Sequence, residues 1–267
     1  MSVESFNPAS FVEYYRRNFE RPRPYEAKSE EYSTELPLAK QKALVSLLTK
    51  LALGESAEGG MGTNLAGRTN DQEDAESLRW YVLEEKRHGE ELARLIALLK
   101  VDALVSGSRF DPAILITKSL NFGRVIDVSN ILLVAEVLTL ALYREIANRA
   151  GHPLVKAVLA EIIRDEAGHV RYHAARLRSA LQRKQGRGVL KAVHRFGLVV
   201  WLFSVYFVIW RDVRLVTGLT WSELLDIFEK DYQKFFGKSE MSFFASRWIF
   251  GMVRRLTVWK PSRKVTN

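Results

Sequence analysis

Apolar residues recur along most of this chain at the spacing of a helix. Leu44, Leu47, Leu48, Leu51 and Ala52 share one helical stripe, and Met61 and Leu65 continue it. The pattern predicts a first long helix over residues 36–68. Gly54, Gly59, Gly60 and Gly62 interrupt it, each costing about 1 kcal/mol in a helix interior. The competing reading ends the helix at Gly54 and makes residues 59–67 a loop. A second helix is expected over residues 71–106, with acids in its first turns where the helix dipole favours them. Gly107 and Asp111-Pro112 end it, Asp111 capping and Pro112 starting a shorter helix. A third runs from Asp127 or Ser129 to Ala150. Its residues 131–142 are nearly all apolar apart from Glu136 and Thr139. A fourth is expected over residues 153–184, broken by Gln185-Gly186-Arg187-Gly188.

The two ends of the chain read differently. Residues 1–35 are rich in aromatics and arginine, contain Pro22 and Pro24, and predict an N-terminal arm packed on the bundle, with one short helix over 11–19. Residues 196–210 are apolar all round. They are short for a membrane span, which needs about 20 residues, so the expectation is shielding on every side by a core, a dimer interface or lipid. Thr220-Trp221-Ser222-Glu223 has the form of a capping box opening a helix to about Phe236. Over residues 241–264 aromatics alternate with bases and no acid occurs. That composition suits a helix lying in a membrane interface, and equally a basic helix packed on the bundle. The expected organisation is an arm at 1–35, a four-helix bundle at 36–185 and a helical extension at 186–267.

Composition narrows the chemistry. The chain has 267 residues, 47% of them hydrophobic, which is ample for a core. It has no cysteine, which excludes disulfides, thiolate metal sites and iron–sulfur clusters. Residues 1–30 lack the order of a signal peptide, so a cytoplasmic protein is expected, with peripheral membrane association an open option. The net charge of +9 favours acidic partners such as an anionic membrane surface or an acidic carrier protein; nucleic acid is not expected.

The candidate chemistry lies in two copies of one motif. Glu166 and His169 stand three residues apart in a helical stretch, as do Glu85 and His88. Residues i and i+3 are neighbours on one helix face, so each pair can reach one atom. One copy is close to what chance gives in a chain with 5 His and 31 acids; two copies with matching surroundings are not. An acid precedes each pair, Glu84 in one and Asp165 in the other. A further glutamate stands 30 residues upstream of each motif glutamate, Glu55 before Glu85 and Glu136 before Glu166. The midpoints fall at Asn70 and Gly151, both in turn-forming sequence. In antiparallel hairpins, residues equidistant from a turn share a level, here roughly 20 Å from it at 1.5 Å per residue. Six side chains thus meet, and carboxylates with imidazoles suit a divalent transition metal.

This pattern resembles the ferritin-like di-iron carboxylate superfamily over roughly residues 36–185. The resemblance implies an all-α, ferritin-like antiparallel four-helix bundle with a di-metal core site, plus extra C-terminal helices. It implies two iron ions, or a manganese–iron pair, held by Glu55, Glu85, His88, Glu136, Glu166 and His169. Glu58 replaces Glu55 if the first helix breaks at its glycines. By the same resemblance Asp165 orients His88 and Glu84 orients His169.

Three features point to oxidation of an organic substrate. Glu85-Lys86-Arg87-His88-Gly89 looks like the matching stretch of soluble acyl-carrier-protein desaturases. Thr139, one turn after Glu136, matches their oxygen-site threonine; a core threonine bonded back to the preceding turn reads as well. A storage shell has little need of a long apolar extension. The expectation is a di-iron oxidase or oxygenase that uses dioxygen and an electron donor to hydroxylate or desaturate a hydrophobic, lipid or acyl substrate, as a small oligomer such as a homodimer. The alternatives are a ferroxidase that handles iron and a non-enzymatic, membrane-associated metal-binding bundle. Ile162 fills the place of the seventh ligand of related N-oxygenases, against that pattern. His173 reads as a residue beside the ligands or on the substrate side, His152 as a turn residue, His194 as a surface or interface residue, and Tyr143 and Tyr172 as packing.

Overall fold

The computed structural model describes residues 6–23, 36–99, 124–182, 187–237, 244 and 246–258; these are largely helical, with no strand among them. The short helix expected from Pro112 and the chain beyond 258 lie outside the described residues.

Helix α2 (Leu38–Arg68) runs unbroken through its glycines and packs along α3 (Gln72–Leu98). The close packing explains one of the glycines. A Cβ at Gly62 would stand 2.8 Å from the Tyr81 ring and from Val82, so any larger residue pushes the helices apart. Asp71 caps α3 by accepting from the Asp74 backbone N–H at 2.9 Å, and Glu73 and Asp74 follow in the first turn. Glu55 lies against His88, Gly59 against Glu85 and Gly62 against Tyr81, so the two helices run in opposite directions.

Helices α4 (Val125–Arg149) and α5 (Pro153–Gln182) form the second hairpin, turning at Gly151 with φ +75°. Ser129 meets Arg176 and Glu136 meets His169, again in opposite directions. The hairpins lie side by side, α3 touching α5 and α2 touching α4. Leu44, Leu48, Leu92, Leu138, Leu142 and Ile162 are buried where they meet. Each such side chain contributes about 1.5–3 kcal/mol by leaving water.

The arm forms α1 (Pro8–Phe19), which lies across α3 and α5. Gly168, inside the second motif, is where it comes closest: a Cβ there would stand 2.5 Å from the Tyr14 ring. At the other end, α6 (Arg187–Ser204), a π-helical turn (Val205–Ile209) and α7 (Trp210–Thr217) form one rod. The rod packs on α4 and α2. Helix α8 (Trp221–Phe236) opens with the Thr220–Glu223 capping box and packs on α4 and on α9 (Arg247–Val258).

The chain itself does not cover residues 196–210 on every side: Phe196 is 52% exposed and Phe207 72%, which leaves a dimer interface or lipid to shield them. Only one face of the rod packs on the bundle, because α8 and α9 sit to one side of it. His194 is not at the surface but fully buried, with Nδ1 2.7 Å from Asn130 Oδ1 and Nε2 against the Tyr232 hydroxyl. Burial and nearby Arg195 lower its pKa to about 3, so it packs as the neutral ring. Its apolar neighbours in sequence hid that role.

Candidate metal centre

The two hairpins bring Glu55, Glu85, His88, Glu136, Glu166 and His169 together at mid-height, all buried. Ligand atoms of Glu55, Glu85, His88 and Glu166 lie within 4.8 Å of one another, as do those of Glu85, Glu136, Glu166 and His169. Glu85 and Glu166 belong to both groups. Glu55, not Glu58, joins the cluster. Glu58 sits one turn on, partly buried, in the wall of an adjoining cavity.

The imidazoles are oriented alike. His88 turns Nδ1 inward, 3.3 Å from Glu55 and from Glu166, and Nε2 outward to Asp165 at 3.1 Å. His169 turns Nδ1 to Glu85 at 2.9 Å and Glu166 at 3.1 Å, and Nε2 to Glu84 at 3.0 Å. An acid on the outer nitrogen fixes which one is free to bind. Tyr81 donates to Glu136 at 3.0 Å, and Tyr143 donates to Glu55.

The electrostatics show a centre short of positive charge. Burial raises the Glu85 and Glu136 carboxyls well above the usual range, and the neighbouring glutamates add to it. Burial opposes charge on His88 and His169 too, but the surrounding carboxylates outweigh it and both imidazoles are raised. Glu166 is held low against its burial by hydrogen bonds from Glu136 and the two histidines. Glu85 Oε2 and Glu136 Oε2 are buried without a hydrogen bond, and Glu85 Oε1 has only the His169 Nδ1 contact at 2.9 Å. Buried polar atoms are seldom left so, and each costs about 1–3 kcal/mol. Four carboxylates and two inward-facing nitrogens form groups that could hold a metal ion.

Around the centre lies a layer of charge that the sequence did not reveal. Asn18 of α1 donates to Glu84 at 2.6 Å and to Asp165 at 2.8 Å, and accepts from Arg21 at 2.7 Å. Arg23 reaches Asp165 at 2.5 Å, Glu161 at 3.2 Å and Glu91 at 3.3 Å. Arg87 adds a 3.0 Å contact to Asp165. Burial disfavours the Asp165 charge, yet His88 and Arg23 hold its carboxyl far below its ordinary range. The signal available was a cluster of arginines in the arm, without its destination. Asp165 thus contacts His88 and Glu84 contacts His169, while Thr139 lies one turn after Glu136 on α4. His173 is buried against Tyr81 and Tyr172 with neither ring nitrogen hydrogen-bonded, outside both groups. Tyr172 does more than pack, since it donates to Asp74. His152 is in the turn before α5, as expected.

A cavity of about 140 Å³ adjoins the cluster between α2, α4 and the rod. Glu55, Glu58 and Thr139 lie in its wall, which is otherwise mainly apolar: Ile131, Ala135, Leu142, Trp201 and Val205 are among the lining. Gly54, Ala57, Ala135 and Gly197 leave the space by having little or no side chain. The π-helical turn supplies Val205, Val208 and Ile209 to the wall; such turns occur frequently at functional sites. No protein-family model, no curated protein and no solved structure matches this chain.

Proposed function

We propose that this protein is a ferritin-like di-iron oxidase that uses dioxygen to oxidise an apolar substrate held in the cavity beside Thr139. One observation carries the reading: an apolar cavity ends on Glu55 and Glu58, against a buried cluster of two Glu-x-x-His pairs and two further glutamates. Glu55, Glu85, His88, Glu136, Glu166 and His169 would hold the metals, which when bound supply the redox chemistry that no side chain of this cysteine-free protein offers. Two irons, or manganese with iron, fit the donor set of carboxylate and imidazole.

The chain's own residues have definable tasks. Asp165 and Glu84 keep the outer nitrogens of the histidines engaged, leaving Nδ1 of each to face the carboxylates. Tyr81 and Tyr143 fix the outer glutamates by donating to them. Both phenols keep their protons, because burial and adjacent carboxylates raise them. Apolar walls exclude water and orient a substrate by shape. Thr139, in the wall of the cavity, is the hydroxyl we assign to proton relay. An electron donor must come from outside the chain.

Anaerobic iron(II) titration followed by air tests the proposal. The expected result is two irons per chain, a ferric charge-transfer band, and oxygen consumption that rises when an apolar substrate is present. Continued iron uptake beyond two per chain, with no effect of any organic compound, would establish the ferroxidase reading instead. Unchanged iron content in Glu136→Ala and His169→Ala would overturn both.

A further inference from the structure

Among the described residues, the rod over 187–217 is packed on one side only. It is long and apolar enough to cross a membrane, yet its most apolar window is only 33% buried, against 72% for α4, which passes the same test. Its exposed residues are not scattered. Val189, Phe196 and Phe207 are exposed, and Ala192 lies on the same side; Val200 and Phe203 between them are partly so. The Phe203 and Phe207 rings stack, 6.0 Å apart and 12° from parallel. Arg211 and Leu215 continue the exposed face beyond the π turn, with Arg214 beside it. An apolar stripe of this length has no reason to face water.

The inner side decides how the rod lies. His194 bonds Asn130 and Tyr232 there, and Leu198 and Leu202 are fully buried. The rod therefore cannot leave the bundle to cross a bilayer; it can only lie flat against one. It is also the outer wall of the cavity. Phe196 and Val200 belong both to the exposed face and to the cavity lining, so the stripe borders the cavity.

We infer that this stripe seats the protein on an anionic lipid surface, and that the cavity admits an apolar molecule dissolved in that leaflet. Charge selects lipid over a second copy of the chain. Arginines flank the stripe and the chain carries +9, which attracts anionic headgroups and opposes self-association. A cavity of about 140 Å³ takes a group on the order of a benzene ring, so the rest of a longer molecule stays in the leaflet. The entry of substrate rests on the oxidase reading; the docking does not.

Flotation of the iron-loaded full chain tests this, using phosphatidylcholine vesicles with and without phosphatidylglycerol. Phe207 lines no part of the cavity, so Phe207→Glu leaves the site intact. Wild type should float with the anionic vesicles and less at high salt. Phe207→Glu should reduce the bound fraction at least tenfold, and Arg211→Glu with Arg214→Glu should weaken binding to anionic vesicles alone. Iron content is read on the same samples, so that loss of metal, which would undo the oxidase reading, is seen separately from loss of docking. A chain that stays in solution with every vesicle overturns the inference. So does a dimer in sedimentation that Phe207→Glu converts to a monomer, because the stripe is then a contact between copies.

Discussion

Tyr81 on α3 donates a hydrogen bond to Glu136 on α4 at 3.0 Å, tying one hairpin to the other at the level of the cluster. The bond depends on Gly62 of α2, whose missing side chain leaves the Tyr81 ring its place. Gly62→Ala should therefore destabilise the fold by about 1–3 kcal/mol through overpacking. Gly54→Ala is the contrast. Nothing lies within 4 Å of a Cβ there, and the helix should gain up to about 1 kcal/mol. Denaturant unfolding of both variants measures the pair, and equal signs would show that the glycines of α2 are not placed as described.

Glu55→Gln should remove most bound iron and the ferric absorption, whereas Glu58→Gln should leave two irons per chain. Only Glu55 lies within ligand distance of His88, Glu85 and Glu166. Elemental analysis decides it, and the reverse order would mean that α2 shifts by one turn when metal binds.

Asn18→Asp should lower metal retention by roughly ten- to a hundredfold, the range found when a partner of a ligand is altered. The change removes a donor to Glu84 and Asp165 and sets a third carboxylate between them. Competition with a chelator gives the measurement. Asn18→Leu separates charge from bonding, since it should lose less than the aspartate.

The buried His194 gives a dependence on pH. Its pKa is lowered from an ordinary 6.5 to about 3, so an unfolded chain takes up a proton that the folded chain refuses. Stability should fall as pH drops from about 6.5 toward 3, at up to about 1.4 kcal/mol per unit from this group. His194→Gln removes that share. The difference between the unfolding free energies of wild type and variant should narrow through this window and stay level above it. A constant difference would mean that His194 is not buried as the neutral ring.

Much of this arrangement was legible in the sequence, because its rules are local. A spacing of three residues fixes a helix face, and equal distances from Asn70 and Gly151 fix a level. Glu55, Glu85, His88, Glu136, Glu166 and His169 were found in that way. Asn18, Arg21 and Arg23 were not, because their partners lie up to 147 residues away and no periodicity reaches across that gap. The glycines of α2 were legible as sites of close helix approach, but only the Tyr81 ring shows that Gly62 is the one used so. The rod was legible only in part, since an all-apolar run does not say which of its sides packs within the chain.

The arm has a consequence for the order of events during synthesis. Asn18 leaves the ribosome early, but Asp165 follows 147 residues later, roughly ten to thirty seconds at common rates of translation. The hairpin of α2 and α3 is complete well before that, with half of the glutamates and one histidine. The latch formed by Asn18 and Arg23 can close only after α5 has been made. Glu166 and His169 are on that same helix, so the cluster is completed and the latch becomes able to close at nearly the same moment.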